Sequence, residues 1–304
     1  MSDWGSEITG SRMRDNGFAR DSSIRHWLKV QRWKLRRRRA ALLWGADELA
    51  RTPSVLGTAM PKSGSHLINQ ILQGLTRIGP FVNSGFPPVN RTEYNRSLTE
   101  EGILANILEM LPGDFRYGYV HAHDPYIEAL TRPGRAIIFV YRDPRDMIVS
   151  HVFYATEMNS SHGMHQYYTE TLRTMEERIN AAIEGVFVEG VKLSGVAARY
   201  DAYLGWLKQP GVLCLRFEDL IEKRADTLMK VLAYLESRGM ALRLDRMEAM
   251  QRIKTAIIPS KSGTFRKGKP GNWQDFFTES NRRTLKQHGG DLLIRLGYER
   301  DLDW

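Results

Sequence analysis

Apolar runs alternate with helical patterns along this chain. Val55 to Met60 is an uninterrupted apolar run, and Leu67, Ile68, Ile71, Leu72, Leu75 and Ile78 then recur at helical spacing. Arg135 to Tyr141 (RAIIFVY) is apolar along most of its length, as buried parallel strands are, and gives way to a second helical pattern through Met147, Ile148, His151, Val152 and Tyr154. Tyr117 to His121 and Val212 to Phe217 read as further strands. Ala225 to Leu235, Glu170 to Val186 and Ala197 to Leu207 read as helices. This alternation predicts an α/β fold with a P-loop-like parallel sheet flanked by helices on both faces, in a single domain over residues 46–304. Residues 83–95, rich in Pro, Asn and Gly, read as a loop bordering an acceptor pocket. The first ~20 residues are expected to be disordered.

Composition changes this picture at the N-terminus. The net charge is +9, and Arg25 to Arg39 hold eight Lys or Arg with no acid, so the rest of the chain is near +1. The excess belongs to an arm, residues 1–45, and a general nucleic-acid surface is disfavoured. Ile24, Trp27, Leu28, Leu35 and Leu42 share a helical stripe, so residues 24–44 read either as a helix docked on its own domain or as one facing an anionic membrane, an acidic partner or a polyanionic acceptor. No run approaches the ~20 apolar residues of a membrane span and no secretory leader is evident, which predicts a cytoplasmic protein, peripheral to a membrane at most. Cys214 is the only cysteine and lies in an apolar run, so intramolecular disulfides are excluded and zinc chemistry is unsupported. His162 and His165 read as surface loop residues, and no metal site is expected.

Candidate chemistry lies where strands meet helices. Pro61, Lys62, Ser63, Gly64, Ser65 and His66 join the first strand to its helix, where free N–H groups and the positive end of the helix dipole favour an anion. Lys62 adds a charge, Ser63 and Ser65 add hydroxyls, and Gly64 allows close backbone approach. Pro61 stands where a nucleoside-triphosphate loop has glycine, so ATP is not the default guest. Arg142 follows the second strand, and Ser150 projects from the same helix two turns on, a pairing suited to a second phosphate. The alternative is a surface ion pair of Arg142 with Asp143 and a packing role for Ser150.

Three segments resemble the sulfotransferases that use 3′-phosphoadenosine 5′-phosphosulfate (PAPS). PKSGSHL is similar to their 5′-phosphosulfate loop, VYRDPRDMIVSH to their 3′-phosphate motif, and Arg266-Lys267-Gly268-Lys269-Pro270-Gly271-Asn272-Trp273 to their R-K-G-x-x-G-[DN]-W signature. The resemblance spans roughly Pro53 to Thr278. It implies that Lys62, Ser63, Gly64, Ser65 and His66 hold the 5′-phosphosulfate, and that Arg142, Ser150, Arg266, Lys267 and Gly268 hold the 3′-phosphate. YVHAHDP resembles the family's K-T-H-x-P segment, which implies that His123 is the general base. Its imidazole suits that task by its pKa near 6.5. His121 stands in place of the family lysine. Phe217 replaces the usual tyrosine of the adenine site and keeps a ring for stacking, while Leu67 stands where many members have tryptophan.

The expected activity is transfer of a sulfuryl group from PAPS to a hydroxyl or amine of a small-molecule, lipid or glycan acceptor, with no metal. Two other classes stay open to the sequence alone. One is a P-loop nucleotide kinase or phosphotransferase, and the other is a noncatalytic nucleotide- or nucleic-acid-binding module.

Overall fold

The computed structural model describes residues 18–258 and 268–304. The predicted disorder of the first ~20 residues falls almost wholly outside them. Among the described residues seven strands form: β1 (Ser54–Ala59), β2 (Val82–Asn83), β3 (Asp114–Gly118), β4 (Arg135–Tyr141), β5 (Val186–Val188), β6 (Val191–Leu193) and β7 (Leu213–Arg216). Five make a parallel sheet in the order β2-β3-β1-β4-β7, while β5 and β6 pair as a separate antiparallel hairpin. The chain runs from central β1 out to β2, back to β3, and only then to β4 on the other side of β1. That reversal makes the carboxyl ends of β1, β3 and β4 the natural ligand crevice.

The strands divide their side chains by the period of two. Leu56, Ile137 and Phe139 face one core, and Val55, Ile138 and Val140 face the other. In chain order the helices are α1 (Phe18–Trp44), α2 (Ala46–Arg51), α3 (Ser65–Leu75), α4 (Glu100–Leu108), α5 (Tyr126–Thr131), α6 (Pro144–Phe153), α7 (Met175–Glu184), α8 (Val196–Leu204), α9 (Phe217–Glu222), α10 (Arg224–Ser237), α11 (Arg246–Lys254), α12 (Glu279–Gly289) and α13 (Leu292–Arg295). Residues of α5 to α8 fill the first core, and residues of α3, α10 and α11 fill the second, so helices cover both faces. α3 sits close on β1 because Gly57 has no side chain; a Cβ there would come within 2.8 Å of Leu72 Cδ1.

The basic arm is a long helix laid along the β2 edge. Arg36 Nη1 donates to the Asn83 carbonyl at 2.9 Å, Trp33 Nε1 to Asp114 Oδ1 at 3.0 Å, and Arg37 Nη1 to the same carboxylate oxygen at 2.7 Å. Lys29 pairs with Glu93, and Phe86 packs against His26 and Trp33. An otherwise open strand edge is covered, as exposed edges require. β3 begins three residues earlier than its apolar pattern suggests, because its polar members Asp114 and Arg116 are buried with partners.

Candidate active site

The turn after β1 is built to present backbone N–H groups. Lys62 takes φ 64° and Gly64 φ 100°, both left-handed, and α3 starts immediately after. Only glycine fits at 64, since a Cβ would lie 2.7 Å from Phe217 Cδ2. Ser65 Oγ accepts from Tyr119 Oη at 3.0 Å, which ties the turn to the segment leaving β3. The Lys62 ammonium lies 3.7 Å from the centre of the Tyr154 ring. Desolvation, with Lys62 adding to it, holds His66 below its ordinary range.

Arg142 leaves β4 directly beside this turn. Its Nη1 donates to the Lys62 carbonyl at 3.2 Å, and its guanidinium covers the Phe217 ring at 4.5 Å. Tyr200 of α8 pins the Arg142 carbonyl at 2.9 Å. Asp143 caps α6 and binds Arg145 rather than Arg142, so the surface ion pair weighed for Arg142 and Asp143 does not form. Arg142 instead lies 3.5 Å from Asp146. Ser150 follows two turns along α6, half-buried.

Asp146 is a residue the sequence reading passed over. Its two oxygens accept from Trp273 N (2.8 Å) and Gly271 N (2.9 Å), fastening the glycine-rich segment to α6. Trp273 and Phe277 are buried, and the Arg145 guanidinium stacks on Trp273 at 4.1 Å. Gly268 at the start of this anchored segment has φ 57°. Arg266 and Lys267 lie outside the described residues.

Two histidines extend beyond β3 and differ in setting. His121 stands edge-on to Tyr203 and lines a small cavity with Met60, Pro61, Met147 and Arg199; burial, then His123, lowers its pKa although Glu100 opposes. His123 Nδ1 lies 2.5 Å from the Asp124 carbonyl, which only accepts, so Nδ1 carries the proton and Nε2 is the basic nitrogen. That Nε2 is 3.7 Å from Glu100 Oε1.

A further pair of histidines lies near Lys62. His151 is buried, and His162 packs edge-on to both His151 and Tyr154, with its pKa lowered to about 4 by burial and then Lys62. Thus His162, read as a surface loop residue, is a packed one. Among the described residues no group of three or more His, Cys, Asp or Glu could hold a metal ion.

The residues fit a phosphate guest. Among the described residues Ser63 Oγ and Arg142 Nε are buried donors without a hydrogen-bond partner, and they belong to the two segments that meet at the turn. Leaving such a donor alone costs about 1–3 kcal/mol, which an anion accepting from it would offset.

A parallel α/β sheet with a left-handed turn opening a helix after its central strand, and an arginine after the neighbouring strand β4, is the layout of a nucleotide-phosphate-binding class of protein. The sequence matches the sulfotransferase domain over residues 52–297, and the chain belongs to that family. Among curated relatives, a 3-alpha-hydroxysteroid sulfotransferase of Cavia porcellus is 22% identical over 250 residues, covering 76% of this chain and 80% of the relative. Cytosolic sulfotransferase 17 of Arabidopsis thaliana is 25% identical over 183 residues, 51% of this chain and 49% of the relative. Among solved structures, mouse sulfotransferase SULT7A1 complexed with PAP shares the fold at TM-score 0.59 and 16% identity, over 84% of this chain and 92% of that one. Retinol dehydratase in a complex with retinol and PAP does so at TM-score 0.50 and 14% identity, over 81% and 84%.

Proposed function

We propose that this protein transfers the sulfuryl group of PAPS to a hydroxyl or amine of a small-molecule acceptor, with lipids and glycans among the candidates, by in-line displacement without a metal. The observation that carries this reading is the pair of unsatisfied buried donors, Ser63 Oγ and Arg142 Nε, at a left-handed turn that opens α3. The PAP named in the two related complexes, and the steroid acceptor named for the Cavia porcellus relative, support the same nucleotide and acceptor classes.

In this reading the backbone N–H groups of residues 64–66, with the Ser63 and Ser65 hydroxyls, receive the 5′-phosphosulfate, while the Ser63 N–H closes the turn on the Met60 carbonyl at 3.0 Å. Arg142, Ser150 and Gly268, with Arg266 and Lys267, recognise the 3′-phosphate. Phe217, buried with the second core and covered by the Arg142 guanidinium, braces the turn at Gly64 and in this reading forms the floor of the adenine site. His123 Nε2 takes the acceptor's proton as its oxygen or nitrogen bonds to sulfur. The bridging S–O bond breaks, and the electron pair leaves on the phosphate of PAP. Lys62 neutralises that growing charge, a contribution made chiefly in the transition state.

The test is transfer from radiolabelled PAPS to pools of sterols, phenols, amines, lipids and glycans in the presence of chelator. Wild-type protein should yield a labelled product. Lys62→Ala should lower kcat more than it weakens nucleotide binding, and His123→Ala should lower kcat by about 10² to 10⁴-fold with PAP affinity nearly intact. Full activity in His123→Ala moves the base elsewhere, with His121 the first alternative. Absence of transfer to any pool together with magnesium-dependent phosphoryl transfer from ATP would overturn the reading.

A further inference from the structure

Helix α1 has two faces with different fates. At about 100° per residue, His26, Trp33, Arg37 and Ala40 fall on the side that meets the sheet edge, and they are the residues with partners or burial there. Ile24, Leu28, Leu35 and Leu42 fall within about 40° of one another on the opposite side. Leu35 is 61% exposed and Leu42 88%, with Trp27 at 58% beside the stripe. Six of the twelve exposed large hydrophobic residues described, counting Leu43, belong to this one helix.

Cations edge the stripe on both flanks. Lys34 and Arg38 lie on one flank and Arg32 and Arg39 on the other; all four are exposed, and none is paired with a carboxylate among the described residues. The other basic residues whose partners are defined, Lys29, Arg36 and Arg37, are spent on the domain. The stripe runs for about 27 Å along the helix.

We infer that the outward face of α1 docks peripherally on an anionic lipid surface. Aliphatic side chains between two rows of cations suit a helix lying in the plane of a headgroup layer, with the stripe in the acyl boundary and the arginines at the phosphates. A second copy of the chain is a poor occupant. An isologous contact along this stripe would bring the cationic flanks of the two copies, Arg32, Lys34, Arg38 and Arg39, together without an acid between them. α1 also carries the loop bearing Phe86 and Glu93, and Asn90 of that loop accepts from Tyr119 N beside the anion-binding turn. Docking would therefore hold this border of the site near the lipid. The inference does not depend on the reaction catalysed.

Sedimentation of the full chain with phosphatidylcholine vesicles, with and without phosphatidylglycerol, tests it. Binding should require phosphatidylglycerol and fall steeply as salt rises through the physiological range, where the Debye length is about 8 Å. Arg38→Gln and Arg39→Gln should each weaken binding about fivefold, and Leu35→Gln with Leu42→Gln at least about tenfold. These positions are solvent-exposed, so the variants should keep the wild-type thermal midpoint and PAP affinity. Absence of binding, equal binding to both vesicle types, or retention of binding in the folded leucine variant overturns the inference. So does a sedimentation-velocity result in which the leucine changes dissolve a dimer while vesicle binding persists.

Discussion

Replacing Asp146 by asparagine probes the link between the arginine after β4 and the glycine-rich segment. The carboxylate is 1% exposed and accepts two backbone N–H bonds, at 2.8 and 2.9 Å, from Trp273 and Gly271. Asparagine keeps the volume and one oxygen, but its amide nitrogen then faces an N–H donor. One charge-assisted bond is lost and the other weakened, at roughly 1.5–3 kcal/mol for the first, so urea unfolding should show a loss of about 2–4 kcal/mol. Two effects compete at the nucleotide. Removing a negative charge 3.5 Å from Arg142 favours an anion, whereas loosening the Gly271–Trp273 anchor disorganises the segment that begins at Gly268. The two direct backbone bonds outweigh a single longer ion pair, and the net expectation is about tenfold weaker PAP binding, near 1.4 kcal/mol. Affinity for AMP, which lacks the 3′-phosphate, should move much less. Calorimetry with both nucleotides reads the difference. Wild-type stability in the variant would refute the anchoring argument, and an unchanged ratio of PAP to AMP affinity would refute the coupling to the 3′-phosphate.

Protonating His162 should destabilise the fold. Its folded pKa of about 4 lies below the ordinary 6.5, so the unfolded chain binds more protons between those values and stability falls as pH drops through that window. The shift amounts to about 1–2 kcal/mol at pH 5, visible as a steeper loss of thermal midpoint than in His162→Phe; equal pH slopes would contradict it. Cys214, whose thiol burial raises to about 12, should react with a thiol reagent at pH 8 roughly 10³-fold more slowly in the native protein than in urea. Labelling at the unfolded rate would show that the thiol is not held this way.

Much of the fold was legible because its main strands are continuous apolar runs. β1, β4 and β7 lie where those runs predicted, within a residue or two. β2 has two residues and carries no periodic signal, and β3 was misjudged because Asp114 and Arg116 interrupt its pattern while Trp33, Arg37 and the Asn106 carbonyl satisfy them. The helix expected over residues 170–186 is shorter, Met175–Glu184, since Thr174 and Glu177 form a capping box that starts it late. In the arm Ile24, Leu28, Leu35 and Leu42 share the exposed stripe, Trp27 lies beside it, and the face that packs on the domain is built from Trp33, Ala40 and His26 instead. Arg142 donates to the Lys62 carbonyl, a contact that the two motifs, 80 residues apart, do not show in the sequence. Asp146, Tyr154 and Tyr119 were missed because each acts through a partner distant in sequence. A carboxylate in the first turn of α6 reads as a helix-dipole residue until the returning N–H groups of Gly271 and Trp273 are seen beside it.

The central claim is that this site recognises a nucleotide carrying both a 5′- and a 3′-phosphate. Titration of the full chain with PAP and with AMP, in chelator, tests it directly. Arg142 and the glycine-rich segment should make PAP the tighter ligand by at least about tenfold, a preference that Arg142→Ala abolishes through the loss of roughly 1.5–3 kcal/mol. Equal affinity for the two nucleotides, or a requirement for magnesium, would contradict the account.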